Sequence, residues 1–281
     1  MVQQTDARRN LNVRWTVNGS SEDMRARGLR REVALSLGSM AVCVGCLLLL
    51  WELVTLAGIF PSIVLATPLQ VWTSFGTELQ SGNLLFNTAV TLREALLGFL
   101  LGALVAGPVG YLVVQVRLLE LLITPFVAAA QGIPAVAIAP IILLLFSGSL
   151  LPKVIICAVV VIFPLLVTTI TALKGVGGDY LDVARVFGAS RTQTLLAVQL
   201  PLAAPVLLAG LKLGVTLSIT GAVVAEFVAS DAGLGFMVNT AVNSFEVSIR
   251  YVAVLTLATL SAILFGIFTL IERIVEQWVD L

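Results

Sequence analysis

The sequence predicts an all-α, polytopic membrane protein with six transmembrane helices. Of its 281 residues, 59% are apolar and 11% are charged, whereas a typical soluble domain is about 45–50% apolar and about 25% charged. Six apolar runs are also long enough to cross about 30 Å of hydrocarbon as helices. These runs are residues 33–58, 88–115, 119–146, 152–173, 202–228 and 251–275.

Basic residues are distributed unevenly between the two sides predicted for these spans. Residues 1–31 contain seven arginines and are predicted to form a cytoplasmic tail, followed by the six-helix domain at 32–281. Cytoplasmic loops carry an excess of Lys and Arg. With the tail inside, twelve basic residues are cytoplasmic, and Arg93, Lys153 and Arg250 lie at or beyond the external side. Both termini are therefore predicted to be cytoplasmic.

The external segment 59–87 contains the pattern TPLQVWTSFGTEL. Thr67 is a typical N-cap residue and Pro68 suits the first helical turn. Leu69, Trp72 and Phe75 then fall near one face, which predicts a helix at the membrane interface, with a plain loop as the alternative. Glu94 follows at the start of the second span and is expected at the same interface.

Small residues recur every four positions in the second and fifth runs. Such stripes let helix backbones approach closely in lipid, and they predict a tightly packed bundle. The two stripes are Gly98, Gly102, Ala106 and Gly110, and Gly210, Gly214, Ser218 and Ala222.

No catalytic or metal-binding motif is visible in the chain. It has no His, no GxxxxGK[ST] phosphate loop and no GxSxG nucleophile elbow. Cys43, Cys46 and Cys157 lie in apolar runs and are interpreted as packing residues. Sixteen basic and sixteen acidic residues cancel, so the net charge gives no indication of nucleic acid. Any transport against a gradient requires an ion gradient or another chain.

One polar segment, DVARVFGASRTQTLLAVQLPLAAP, lies between apolar runs at residues 182–205. Asp179 is expected to cap a short helix, with Asp182 in its first turn. Gly188 is expected to end that helix in the left-handed conformation. Ser190 and Gln193 form a capping-box pattern for the next helix.

This double set of caps predicts a rigid cytoplasmic segment that carries Arg185 and Arg191. Pro201 marks the point where the chain re-enters the bilayer. The segment either docks on a cytoplasmic partner or lies on the lipid surface as an interfacial helix.

The same segment resembles the EAA loop of binding-protein-dependent ABC transporter permeases. That pattern is E-A-A, three residues, Gly, nine residues, an aliphatic residue, one residue and Leu-Pro, and all its spacings occur here with Asp for Glu and Val for the first Ala. The matching residues are Asp182, Val183, Ala184, Gly188, Val198, Leu200 and Pro201. The resemblance extends through GLKLGVTLSITGAVVAEF and GLGFM and covers about residues 85–281.

The resemblance implies a type I ABC importer permease fold in the bacterial inner membrane. It implies that a coupling loop at about 174–200 binds an ATPase subunit, which binds ATP and Mg, so this chain is no enzyme and holds no cofactor. It also implies two ATPase copies, a second copy of this chain and a periplasmic or lipid-anchored binding protein. The coupling residues would be Asp182, Val183, Ala184, Arg185, Gly188 and Arg191.

Within this family, QGIPAVAIAPIILLLFSGSLLPKV is most similar to permeases for sulfonates, taurine and nitrate. The same group includes carriers of thiamine-pyrimidine precursors and riboflavin, and SLLPKV favours this second branch. The resemblance therefore implies import of a small solute of one of these classes.

Candidate pathway residues are polar or helix-breaking positions within the spans. Gln131 and Pro134 either line the core where the third helix is broken or belong to an ordinary kinked helix. Lys212 either lines the pathway, on the same helix side as Thr216, or extends to the cytoplasmic surface. Glu226 either pairs with a charge from another helix or meets the binding protein.

Two other functional classes compete with the permease hypothesis. An ion-coupled secondary transporter needs no ATPase and often has inverted repeats with broken helices, but no repeat is visible here. A scaffold without transport activity is disfavoured by Lys212 and Glu226, because charges inside a membrane are costly.

Overall fold

The computed structural model describes residues 38–39, 42–146, 150–228 and 230–279, and helices are the regular elements of these residues. The predicted tail at 1–31 lies outside the described residues. Contacts between residues divide the chain into two units, Met1–Pro68 and Leu69–Leu281.

The first unit contains α1 (Val42–Leu56). The predicted span 33–58 begins outside the described residues, and its described part is helical as predicted. The chain folds back after α1, because the indole Nε1 of Trp51 donates a hydrogen bond to the carbonyl oxygen of Ala66 at 2.9 Å.

The segment predicted to lie at the interface forms α2 (Pro68–Gln80), which begins at the predicted proline. Leu69 and Trp72 are exposed, and the rings of Trp72 and Phe75 stack with their centroids 5.9 Å apart. The helix prediction is therefore confirmed over the plain loop.

The other helices follow in chain order. They are α3 (Asn83–Gln115), α4 (Arg117–Gln131), α5 (Ala135–Leu145), α6 (Leu151–Lys174), α7 (Gly178–Val186), α8 (Arg191–Thr194), the π-helical turn Leu195–Gln199, α9 (Leu200–Val228), α10 (Leu234–Asn243) and α11 (Val247–Val279).

Four of the described helical segments are long and apolar enough to cross a membrane: α3, α6, the continuous helix Arg191–Val228 and Val247–Val275 of α11. The pair α4 and α5 passes the same test together but is bent by 102°. With this pair as one span and α1 as another, the structure is compatible with the six predicted spans.

The bend between α4 and α5 lies at the predicted break. Pro134 has φ −63° and ψ 127°, an extended backbone, and directly precedes α5. Proline lacks an N–H and disfavours helical geometry in the residue before it. The helix therefore stops at Gln131 and restarts in a new direction at Ala135.

The core of the second unit is the packing of α6 against α3 and α9. A Cβ atom on Gly102 would lie 3.0 Å from Cγ1 of Val161, and one on Gly221 would lie 2.8 Å from Cα of Cys157. The residues of both small stripes are buried. The predicted close packing is therefore confirmed.

The order of these contacts gives the helix directions. Along α3, Gly98 and Gly110 face Cys157 and Thr169, so α3 and α6 run parallel. Along α9 the order reverses, because Gly210 faces Thr168 and Gly221 faces Cys157. We call the end of this bundle next to α7 the α7 end, and the opposite end, next to α10, the α10 end.

The helix that begins with α8 continues through Pro201. It runs without a break from Arg191 to Val228, with the π-helical turn Leu195–Gln199 just before the proline. In a regular α-helix, a proline ring clashes with the carbonyl group of the residue four positions earlier. The wider π turn relieves that clash, so the helix continues without a break.

We expect Gly221→Ala to destabilise the protein, because its Cβ would lie 2.8 Å from the backbone of Cys157. Overpacking of this kind typically costs about 1–3 kcal/mol. Gly266→Ala in α11 is the matched control, since its Cβ meets nothing within 4 Å. Thermal unfolding in detergent should show a lower Tm for Gly221→Ala alone, and equal Tm values would contradict the packing assignment.

Candidate functional site

The segment from α7 to α8 begins differently from the sequence prediction. The N-cap of α7 is Gly177, and no side chain caps the helix, so the expected cap by Asp179 is wrong. Asp179 lies inside the first turn, where its charge interacts favourably with the helix dipole. Asp182 lies further along and pairs with Arg185, with Oδ1 and Nη1 2.5 Å apart.

The end of α7 is the predicted glycine stop. Gly188 has φ +72°, its N–H donates to the carbonyl of Arg185 at 2.9 Å, and the N–H of Ala189 donates to the carbonyl of Ala184 at 3.0 Å. These two bonds form a Schellman motif, which requires the left-handed conformation that glycine adopts most readily.

The predicted capping box of α8 is also confirmed. The backbone N–H of Gln193 donates to Oγ of Ser190 at 3.3 Å, and the N–H of Ser190 donates to Oε1 of Gln193 at 2.8 Å. The turn between the two helices is therefore fixed on both sides by local hydrogen bonds.

This fixed turn presents an apolar surface. Val186 and Phe187 are 86% and 85% exposed, and Tyr180 and Val183 are also exposed, whereas Ala184 is buried. We call Tyr180, Val183, Val186 and Phe187 the α7 surface. Arg185 and Arg191 are exposed beside it.

The candidate pathway residues are spread over the second unit rather than brought together. Gln131 and Pro134 are exposed at the bend between α4 and α5. Lys212 forms an ion pair with Glu272 of α11, and its Nζ lies 5.1 Å from the ring centroid of Phe265. Thr216 is half-buried and its hydroxyl donates to the carbonyl of Lys212 at 3.0 Å.

Glu226 is buried in a polar cluster at the α10 end. Its Oε1 accepts a hydrogen bond from Oγ1 of Thr91 at 2.7 Å, and its Oε2 accepts one from the N–H of Gly235 at 2.5 Å. Glu94 and Lys153 lie in the same cluster, with Oε1 and Nζ 3.0 Å apart.

Two members of this cluster, Glu94 and Lys153, are not among the site residues predicted from the sequence. Glu94 was expected at the membrane interface, but it is buried, and Lys153 in the first turn of α6 is buried beside it. The expectation fails for Glu94 because α3 begins at Asn83, which places this residue three turns inside the helix. The available signal was the presence of charges in two apolar helices, since intramembrane charges are normally paired.

A cavity of about 420 Å³ lies between α3, α6 and the start of α9. Its walls are almost entirely apolar, and the hydroxyls of Thr168 and Thr169 donate to carbonyls of their own helix. The cavity offers no charged group to a solute. Within the described residues, no group of three or more His, Cys, Asp or Glu side chains is placed to hold a metal ion.

Comparison with known protein families identifies the class of protein to which this chain belongs. Residues 98–280 match the family described as "Binding-protein-dependent transport system inner membrane component". The chain belongs to this family. It is therefore the membrane-spanning permease subunit of an ABC importer, and ATP hydrolysis takes place on a separate chain. The alternative of a secondary transporter without an ATPase is not supported.

Relatives and solved structures agree with this assignment. The permease is 39% identical over 255 residues to the riboflavin transport system permease protein RibX of Chloroflexus aurantiacus, covering 90% of this chain and 94% of that one. It is 29% identical over 159 residues to the formylaminopyrimidine transport permease protein ThiX of Halalkalibacterium halodurans, covering 57% and 64%. An inward-facing structure of the MetNI methionine ABC transporter shares the fold, with TM-score 0.64, 18% identity and coverage of 70% and 98%.

We expect Gly188→Val to destabilise the Schellman motif at the end of α7, because a β-branched residue at φ +72° is strongly strained. Gly188→Asn is the matched control, since asparagine visits the left-handed region routinely. Hydrogen exchange at the amides of Gly188 and Ala189 should accelerate at least tenfold in the valine variant, if the strain is about 1–3 kcal/mol, and much less in the asparagine variant. Equal protection in both variants would contradict the conformational requirement.

Proposed function

We propose that this permease imports a small nitrogen heterocycle of the riboflavin or formylaminopyrimidine class. In this proposal two copies of the chain form the pathway, two ATPase subunits bind ATP and Mg at the α7 end, and a soluble or lipid-anchored binding protein delivers the solute to the α10 end. Both termini, including the arginine-rich tail, are cytoplasmic.

The α7 surface is the observation that carries the proposed mechanism. Exposed apolar side chains on a rigid turn gain free energy by entering a groove, at about 25 cal/mol per Å² buried. Because both ends of the turn are fixed by hydrogen bonds, docking costs little conformational entropy. Asp182, Val183, Ala184, Arg185, Gly188 and Arg191 make up the proposed coupling segment.

The proposed pathway residues are polar or irregular positions along the bundle. Gln131 and Pro134 lie at the bend of 102° between α4 and α5. Lys212 and Thr216 are half-buried on α9, and Glu226 lies near its far end. We propose that Gln131, Pro134, Lys212 and Thr216 border the route of the solute between the two copies of the chain, whereas Glu226 is buried within the chain and does not line this route.

The substrate class rests on the relatives and on the SLLPKV stretch. RibX is similar over nearly its whole length, and its name refers to riboflavin. The decisive experiment is to co-purify the cognate binding protein with the permease and to identify its bound ligand by mass spectrometry. A flavin or an aminopyrimidine supports the proposed class, and a sulfonate or nitrate contradicts it.

We expect Phe187→Asp to weaken the binding of the ATPase, because it places a charge in the proposed groove. Loss of one buried aromatic contact of about 2 kcal/mol corresponds to a roughly 30-fold higher Kd. The control is Thr73→Asp, which adds the same charge to the exposed face of α2. Binding measured in nanodiscs, together with solute-stimulated ATP hydrolysis, tests the docking site, and wild-type values for Phe187→Asp would overturn it.

We expect native mass spectrometry of the purified importer to show two identical permease chains and two ATPase chains. A second, different permease chain in the complex would contradict the homodimer and leave the family assignment intact.

A further inference from the structure

The buried cluster at the α10 end holds two carboxyl groups and one ammonium group. Glu94, Lys153 and Glu226 are 2%, 4% and 1% exposed. They come from α3, α6 and α9, the three helices that pack most closely. A fully ionised cluster would carry one uncompensated negative charge in a low-dielectric interior, which is costly.

The hydrogen bonds of the cluster account for three of its four carboxylate oxygens. Both oxygens of Glu226 accept hydrogen bonds, from Thr91 and from the N–H of Gly235. Oε1 of Glu94 pairs with the ammonium group of Lys153, which also donates to Oγ of Ser230 at 2.6 Å.

The fourth oxygen, Oε2 of Glu94, is buried without a hydrogen-bond donor. Glu226 lies in the same cluster, because it binds Thr91, which lies one turn before Glu94 on α3. Two ionised carboxylates repel each other and cannot form a hydrogen bond, whereas one proton between them satisfies both.

We propose that Glu94 and Glu226 form a buried proton-binding site, with the proton on Oε2 of Glu94 and donated to Glu226. The cluster is then electrically neutral, with one ammonium group, one carboxylate and one carboxylic acid. The proton comes from solvent, and no covalent bond is made or broken apart from the O–H bond.

Among the described residues, Asp231 is a further charged side chain that acts on Glu94, and it is acidic and exposed, so it does not compensate the charge. α10 has no charged residue between Leu234 and Asn243. Cys157 of α6 lies nearby but donates no hydrogen bond to Oε2 of Glu94.

The cluster also forms hydrogen bonds with residues 233–235, the segment that leads into α10. The N–H of Gly235 binds Glu226, the N–H of Leu234 donates to Thr91 at 2.8 Å, and the N–H of Gly233 donates to Asn87 at 2.7 Å. A Cβ on Gly235 would lie 2.7 Å from Oε2 of Glu226, so the carboxyl group and the backbone are in direct contact. Loss of the proton places two negative charges side by side and weakens this attachment.

The sign of the pH dependence follows from this linkage. A proton held by the closed segment and released on opening stabilises the closed form at low pH. That stabilisation is lost as the pH rises through the titration of the pair. Opening of residues 233–235 should therefore become more frequent at alkaline pH.

Infrared spectroscopy of the full-length chain in lipid nanodiscs tests the proton directly. The difference between the wild type and Glu94→Gln at neutral pH should contain one carboxylic acid carbonyl band that shifts in D₂O. Glu226→Gln should lose the same band, because Glu94 then faces Lys153 alone and ionises. Glu78→Gln, at a half-buried position in α2 whose carboxylate binds Asn83, should leave the band unchanged.

Hydrogen exchange gives a second readout that does not depend on transport. After correction for the intrinsic exchange rate, amides 233–235 should open at least tenfold more often at alkaline than at neutral pH in the wild type. In Glu94→Gln, whose amide mimics the protonated acid, opening should not depend on pH. Absence of the acid band in the wild type, or equal pH dependence in both proteins, would overturn the proton site.

Discussion

The close approach of α6 to α3 and α9 is the constraint on which the rest of the structure depends. Small residues remove the side chains that would otherwise hold these helices apart, and the Cβ positions of Gly102 and Gly221 have no free space. Only at this separation do Glu94 and Lys153, on different helices, come within 3.0 Å. The same packing excludes water from the cluster, so its charges must be compensated within the chain.

The features that sequence could predict are those decided by neighbours in the chain. The stop at Gly188 and the capping box of Ser190 and Gln193 depend on residues at most five positions apart, and both are present as predicted. The break at Pro134 is local for the same reason, because proline changes its own backbone and that of the residue before it. The small stripes predicted close packing, although not which helix would fill each groove.

The features that sequence could not predict depend on contacts between distant residues. Glu94 and Lys153 are separated by 59 positions, the difference of their residue numbers, and nothing in the spacing links them. Glu226, which the sequence offered as a partner for a charge on another helix or for the binding protein, is buried in the chain itself. The start of α7 was misplaced because Gly177, rather than an acidic side chain, supplies the N-cap.

The continuous helix Arg191–Val228 has a mechanical consequence. Its 38 residues span about 57 Å at 1.5 Å per residue, with α8 at one end and Glu226 near the other. If this helix tilts as a rigid body about its α8 end, Glu226 is displaced, and Gly235 at the entrance to α10 is displaced with it, because its N–H is bound to that carboxyl group.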